Sequence, residues 1–371
     1  MFADSPAQFV RHEIATGLKG GYQVAAVDVN GDGQPDLVAL GSGMSELVWF
    51  ENPSWKRHVI AGGFKRLINF AAWDDDGDGV PVIAVASGFS MEAKGSSGEI
   101  HVLRHRDDPR NPWQATEIDR LPTSHRLRWA DIAGDGRKVL VNAPLTGARA
   151  EGPEFRGRTP LVLYRPGEWK RTLIDELNEG VVHGLDVVDW DSDGRDDLLT
   201  ASFVGIHLLR RGRNGGWART QIAAGATEPW PKCGSSEIAV GRVGGRRVLA
   251  AIEPWHGNQV VVYTPQGDGW VRRVIDDSLV EGHTVTLADL NADGADEIVA
   301  GCRGKGHAVY VYYAEDASGE RWRRTLLDDG VAAASCVVAD LNGDGRPDLA
   351  CIGSSTANLV WYENRGVSTA R

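Results

Sequence analysis

One acidic hexapeptide recurs along the chain, and each copy is followed by an apolar run. It reads Asp28-Val29-Asn30-Gly31-Asp32-Gly33, with Asp36 at the ninth position. It returns as Asp189, Asp191, Asp193 and Gly194 with Asp197, as Asp289, Asn291, Asp293 and Gly294 with Glu297, and as Asp340, Asn342, Asp344 and Gly345 with Asp348. A partial copy starts at Asp74, with Asp76 and Asp78, and a weaker one at Asp131, with Asp135. A degenerate copy around Gly241 fills the gap between Asp189 and Asp289. The seven anchors near 28, 74, 131, 189, 241, 289 and 340 are spaced by 46, 57, 58, 52, 48 and 51 residues. A period of this length decides the architecture before any local preference is weighed.

Each copy has the same grammar. One apolar run enters the acidic loop, a second leaves it, a third follows a Gly/Ser-rich turn, and a fourth opens with an aromatic and basic residues, as in Trp55-Lys56-Arg57-His58. Runs of four to six residues rich in Val, Ile and aromatics read as strands. Four strands at roughly 50 residues is the signature of a β-propeller blade. Fourth strands start at Trp55, Trp113, Trp169, Trp217, Trp270 and Trp322, which makes six. The seventh stands at the other end of the chain, at Phe9-Val10-Arg11-His12, while the C-terminus stops soon after a third strand, Leu359 to Tyr362. The expectation is therefore an all-β, seven-bladed β-propeller of four-stranded antiparallel blades, one domain over 1–371. Its ring is closed by residues 1–15, whose strand joins the last blade and covers its edge.

Composition narrows the function classes. The net charge is −11 with no basic run, so no nucleic-acid partner is expected. No apolar stretch reaches membrane-spanning length, so no membrane partner is expected. The N-terminus, Met1-Phe2-Ala3-Asp4-Ser5-Pro6, has no signal pattern. This reads as cytoplasmic as the chain stands, or as secreted or periplasmic if the chain is a processed form. A monomer or small homo-oligomer is expected. The four cysteines, Cys233, Cys302, Cys336 and Cys351, lack metal spacing. Cys336 and Cys351 fall in adjacent strands of one blade and could be neighbours; all four are read as buried free thiols.

Oxygen ligands at positions 1, 3 and 5 with Gly at 6 wrap a hard cation, and an acid at position 9 can close the shell. Structural Ca²⁺ is expected at Asp28/Asn30/Asp32/Asp36, Asp189/Asp191/Asp193/Asp197, Asp289/Asn291/Asp293/Glu297 and Asp340/Asn342/Asp344/Asp348. The copy at Asp74 lacks the ninth acid, and tight sites are not expected at Asp131 and Gly241. Strand-flanked loops of this kind resemble the FG-GAP or VCBS repeat family, which implies calcium between the first two strands of a blade.

Aligning the copies on the anchor puts Tyr22, Ile68, His125, His183, Ser235, His283 and Ala334 six residues upstream. Three of the ten histidines share this column, at the start of the innermost strand on the face opposite the acidic loops. Three converging imidazoles suit a divalent transition ion such as Zn²⁺ or Mn²⁺. The other reading is three separate polar residues at strand entries. The same face carries Glu253-Pro254-Trp255-His256, Arg303-Gly304-Lys305-Gly306-His307, Trp230-Pro231-Lys232, and long loops at 87–99 and 144–160. Trp230 and Trp255 either stack on a sugar or pack structurally. His12, His58, His101 and His207 align in outer strands and read as structural.

His183-Gly184-Leu185-Asp186, Glu253 to Asn258 and Glu281-Gly282-His283, with the histidine-lined mouth, resemble the propeller part of aldos-2-ulose dehydratase-type carbohydrate lyases. The resemblance implies a small carbohydrate substrate, a keto-sugar or keto-glycoside, whose β-elimination next to the carbonyl uses a metal at His125, His183 and His283. It implies a base among His256, His307 and Lys232, and substrate-holding cations at Arg303 or Lys305. The alternative is a non-catalytic carbohydrate- or protein-binding propeller with structural calcium. As the sequence stands, the additional C-terminal β-domain of those enzymes is not expected, nor is any isomerase step associated with it.

Overall fold

Seven four-stranded antiparallel sheets form in the computed structural model, which describes residues 6–213 and 215–367. The innermost strands are Gly21–Val27, Asn69–Trp73, Ser124–Ala130, Val182–Val188, Glu237–Val243, Gly282–Ala288 and Ala333–Ala339. In the first six blades each is followed by the three outer strands of its blade, in the seventh by two, and no α-helix occurs among the described residues. No helix is long and apolar enough to cross a membrane. Six of the seven second strands are fully buried, as in Asp36–Gly41 and Glu297–Cys302, and the fifth, Arg246–Glu253, is buried from Val248 on, because they are covered on both faces by neighbouring blades. That sandwiching explains why they read as unbroken apolar runs and not as alternating ones.

The seventh blade is completed from the N-terminus. Ala7–Ala15 pairs antiparallel with Leu359–Val367, with Val10 opposite Glu363, Arg11 opposite Tyr362 and His12 opposite Trp361. The expected closing segment is thus present; its residues 1–5, and with them most of the N-terminal stretch read for targeting, lie outside the described residues.

Side chains lace the blades together at three radii. Near the channel, the Gln23 amide donates to Phe70 O and its Oε1 accepts from Phe70 N. Leu127 N donates to Asn69 Oδ1. At the acidic loops, Asn52 Nδ2 donates to Leu341 O, and Asn364 Nδ2 to Leu290 O. At the rim a trio repeats. An acid at the end of one blade accepts from a Tyr and an Arg of the next: Asp119 with Tyr164 and Arg171, Asp276 with Tyr312 and Arg324, Asp328 with Tyr362 and Arg11. In the last trio Arg11 comes from the closing strand, so the rim is fastened across the chain ends by the same chemistry.

One expectation is corrected. Cys336 and Cys351 face each other across the first two strands of the seventh blade and form a disulfide. Directly opposed antiparallel residues bring their Cβ atoms within bridging reach. The free-thiol reading overlooked that register. Cys302, buried, and Cys233, half-buried, are free thiols.

His12 and His58 occupy equivalent places. Each stacks on a Trp (Trp361 and Trp49) and meets a Glu through Nε2, at 2.9 Å to Glu363 and 2.8 Å to Glu51. Their structural reading follows from those contacts.

Replacing Tyr362 by Phe removes one donor from the buried Asp328 carboxylate at the closing seam. Leaving such an acceptor short costs about 1–3 kcal/mol. Urea unfolding of Tyr362→Phe against the parent should show a loss of that size; no loss would mean the trio does not fasten the ring.

Candidate functional site

The innermost strands all start on one face, so the column six residues before each anchor forms a ring around one end of the channel. His125, His183 and His283 stand there, each 1% exposed. Their rings meet: His125 and His183 are 4.9 Å apart between centroids, His183 and His283 5.0 Å. A fourth ring joins them. His256 lies 4.9 Å from His183 and 5.1 Å from His283, stacked on the latter. His256 sits in the loop after the second strand of the fifth blade, at φ +49°. A β-substituted residue in the left-handed region is uncommon and marks a turn held by its surroundings. From sequence, His256 is expected as a base apart from the ligands; the structure places its ring among them.

Donor and acceptor accounting fixes what each ring can offer. His283 Nδ1 is 2.6 Å from Ala334 O, and a carbonyl only accepts, so Nδ1 carries the proton. The buried Nε2 lone pair of His283 is left without a partner. Arg303 Nη2 donates to His256 Nδ1 at 3.1 Å, so the His256 proton is on Nε2, directed at His183 Nε2 at 3.2 Å. His183 Nδ1 then donates toward Ser236 Oγ at 3.3 Å, with Glu237 Oε2 at 3.6 Å. His125 differs. Its Nε2 already faces Tyr22 Oη at 2.7 Å and accepts from Arg126 Nη1 at 3.3 Å, which puts its proton on Nδ1. His125 therefore has no spare lone pair. His183, His256 and His283 bring three ring nitrogens within 4.8 Å of one another.

All four imidazoles are held well below the usual histidine range. Burial is the largest cause at each, followed by the cationic charge of Arg126 at His125 and His183 and of Arg303 at His256 and His283. They are neutral at physiological pH, which is the form that lends a lone pair. The balancing anion is Glu237, which accepts from Arg126 Nη2 at 2.8 Å. Arg126, Glu237 and Tyr22 come from three different blades and form a polar floor beneath the rings. Below that floor runs a channel of about 510 Å³, lined by polar side chains including Arg128, Asp186 and Thr284. Residues 126 and 237 are one and two places beyond the aligned column. The histidine column by itself does not single them out.

The outer side of the cluster is roofed. Leu145, Ala150, Phe155, Val181 and Phe203 pack with Phe89, Trp230 and Trp255. The two long loops are tied together, Lys94 bridging Glu92 and Glu151 and Gly152 N donating to Glu92 Oε1. Trp230 is engaged by Arg156 over its ring and by Phe203, and Trp255 by Phe155, Phe203 and His256. These contacts give both tryptophans a packing role. The histidine-lined mouth expected from sequence is roofed by these side chains, with His256 and Arg303 its part-exposed members. Lys232 and Lys305 are exposed, and His307, also exposed, meets Ser355 Oγ at 3.3 Å.

On the opposite face the acidic loops wrap inward on themselves. Asp28 accepts from Gly31, Asp32 and Gly33 N, and the ninth-position Asp36 accepts from Val29 and Asn52 N. Asp289 with Glu297 and Asp340 with Asp348 repeat the pattern. Three carboxylates gather within 4.8 Å at Asp189, Asp191 and Asp193, and also at Asp74, Asp76 and Asp78. The Asp131 loop keeps the inward wrap, with Asp131 accepting from Gly134, Asp135 and Gly136 N, and both decayed loops are also held by a neighbour: Asp196 accepts from Asp131 N, and Asp296 from Arg242 N. Burial pushes the ninth-position acids up, Asp197 to about 6, Asp36 to about 7 and Glu297 to about 8, with nearby loop carboxylates adding to it.

The family models agree with this architecture. One for FG-GAP-like repeats matches residues 289–351, and one for the FG-GAP repeat matches residues 20–45. The chain is a seven-bladed propeller that carries FG-GAP repeats. A third model, for the β-propeller domain of aldos-2-ulose dehydratase, matches residues 97–266. That span contains His125, His183, Glu237 and His256 and ends before His283. No curated protein gives a match. Among solved structures the propeller is similar to that of BBS1N in complex with ARL6DN, at 13% identity and a TM-score of 0.59, covering 100% of this chain and 99% of that one. It is also similar to the RRP9 WD40 repeats, at 9% identity and 0.62, covering 98% and 100%. For U3-55K the values are 9% and 0.57, covering 95% and 98%. At these identities the likeness is one of fold alone.

Two outcomes test this electrostatic picture. Arg126→Met leaves the half-buried Glu237 without its partner, and since breaking a fully buried pair costs about 3–5 kcal/mol, a loss approaching the lower end of that range is expected. Urea unfolding should show that loss, and Glu237→Gln in the same background should recover part of it. The raised carboxylates give the second. In the folded state they bind protons more tightly than in the unfolded chain, so the stability they contribute is complete below about pH 4 and is lost as pH rises through 6 to 8. In chelator, melting temperature should fall over that window; flat behaviour would contradict the buried placement of Asp36, Asp197 and Glu297.

Proposed function

We propose that the chain is a carbohydrate lyase. It would eliminate water next to the carbonyl of a keto-sugar or keto-glycoside at the four-histidine cluster. The observation that carries this is the unpartnered, buried Nε2 of His283 beside His183 and His256, in a chain whose middle matches the aldos-2-ulose dehydratase propeller. A lone pair buried without a partner is costly unless something binds it.

The donor set fits a divalent ion such as Zn²⁺ or Mn²⁺: three neutral imidazoles with an open position. His183, His256 and His283 would hold it, in place of the His125, His183 and His283 set expected from sequence. When bound, the ion would polarise a carbonyl oxygen and acidify the neighbouring C–H. Ala334 O fixes the His283 ring, and Ser236 with Glu237 orients His183, as outer partners do for metal-bound imidazoles. His125 and Tyr22 close the wall behind them. The elimination keeps its balance without an oxidant: a base takes the α-proton, the C=C bond forms, and the β-hydroxyl leaves as water after gaining a proton. Lys232 and His307 are exposed loop residues that we assign as candidates for the base. The cationic field of Arg126 and Arg303 favours the negative charge that develops on the substrate oxygen.

We also propose calcium as a structural ligand in the four complete acidic loops. Bound Ca²⁺ would hold the ninth acids in their charged form and so remove the loss of stability above pH 6. The Cys336–Cys351 disulfide supports a secreted or periplasmic location, since such bonds persist in oxidising compartments.

Elemental analysis of the purified protein should find near-stoichiometric transition metal beside calcium. His183→Ala, His256→Ala and His283→Ala should each lose it, together with elimination activity on keto-sugars followed by enone absorbance. His125→Ala should retain the metal. Calcium as the only metal in the parent protein would favour a binding propeller instead.

A further inference from the structure

Arg303 is hydrogen-bonded to an atom that a metal-binding His256 cannot leave available. Its guanidinium has no lone pair, so the 3.1 Å contact to His256 Nδ1 requires that nitrogen to accept. A neutral imidazole has one accepting nitrogen. For His256 to bind an ion through Nε2, its proton must move to Nδ1, which then donates. For it to bind through Nδ1, the ion takes the lone pair itself. Either way Arg303 loses its acceptor. Docking of Arg303 and ligation by His256 therefore exclude each other.

We propose that Arg303 is a metal-gated arm. It is docked on His256 when the cluster is free of metal and is released to hold an anionic oxygen of the ligand when His256 coordinates. The inference rests on the metal reading above. The surroundings suit the role. Arg303 follows the second strand of the sixth blade, Glu297–Cys302, and its backbone N is fixed to Glu281 O at 3.0 Å. The next residue, Gly304, has φ +66°, where a Cβ would meet Glu281, so the backbone is held while the side chain is part-exposed at the edge of the cluster. Glu237, the carboxylate beside the rings, is already bound to Arg126, so a released Arg303 is a cation next to neutral imidazoles. Its chemistry matches a carboxylate or an enolate oxygen on a sugar-sized ligand.

Zinc titration of the full chain by competition with a chelator tests this, with histidine nitrogens followed by ¹H–¹⁵N NMR. In the parent protein His256 should change from protonated Nε2 to protonated Nδ1, or to a metal-bound Nδ1, as zinc loads. Arg303→Met should bind zinc roughly tenfold or more tightly, because a charge-assisted hydrogen bond no longer competes; Arg303→Ala repeats the measurement should the Met side chain disturb the loop. Glycolate should bind the zinc-loaded parent about tenfold more tightly than zinc-loaded Arg303→Met. Equal zinc affinity in parent and variants overturns the proposal while leaving the metal site standing, as does tighter binding without a change at His256. Equal glycolate affinity overturns the anion-holding role. Absence of zinc binding in both parent and variants sinks the metal reading itself, and this inference with it.

Discussion

Everything in this molecule depends on closing the ring. A propeller blade is stable because both faces are covered by neighbours, and a missing outer strand would leave an open edge on the seventh sheet. Here Ala7–Ala15 supplies that strand, and Arg11 on it completes the rim trio with Asp328 and Tyr362. The same rim chemistry recurs at Asp119 and Asp276 between residues of successive blades. A closed, laced ring is what allows five residues from five blades, Tyr22, His125, His183, His256 and His283, to be held against one another at its centre. No single blade contributes more than one of these rings.

Burial then sets the chemistry of that centre. Four imidazoles removed from water beside two guanidinium groups stay neutral, and their hydrogen bonds assign each proton to one nitrogen. His125 spends its lone pair on Tyr22 and Arg126, whereas His283 keeps one that nothing uses. The distinction between two residues of one aligned column is made by Ala334 O on one side and Arg126 on the other. The acidic loops on the opposite face show the converse case, with buried carboxylates whose ionisation is resisted and for which a bound cation would be the natural partner.

The blade count, the strand grammar, the closing strand and the histidine column were legible in the residues, because a repeat carries each position seven times and one deviation stands out against six others. Other features had no such signal. His256 lies in a loop outside the aligned strands, and its place in the cluster follows from a left-handed turn. Arg126 and Glu237 are ordinary charged residues until their neighbours across the channel are known. The trio of Asp119, Tyr164 and Arg171 spans two blades. Cys336 and Cys351 are fifteen residues apart, and their bond depends on a cross-strand register that spacing alone leaves open. The roof over the histidines comes from packing between loops of different blades, which strand periodicity does not register.

The sequence by itself determined the number of blades, the face on which the acidic loops lie and the presence of several histidines at one end of the channel. These follow from periodicity, which is local and additive along the chain. Only the tertiary structure decided which rings meet, which nitrogens remain unpaired, that the cluster is roofed, and that Arg303 rests on His256. Those outcomes depend on distances between residues of different blades that lie far apart along the chain, and a repeat pattern contains no information about such distances until the ring is closed.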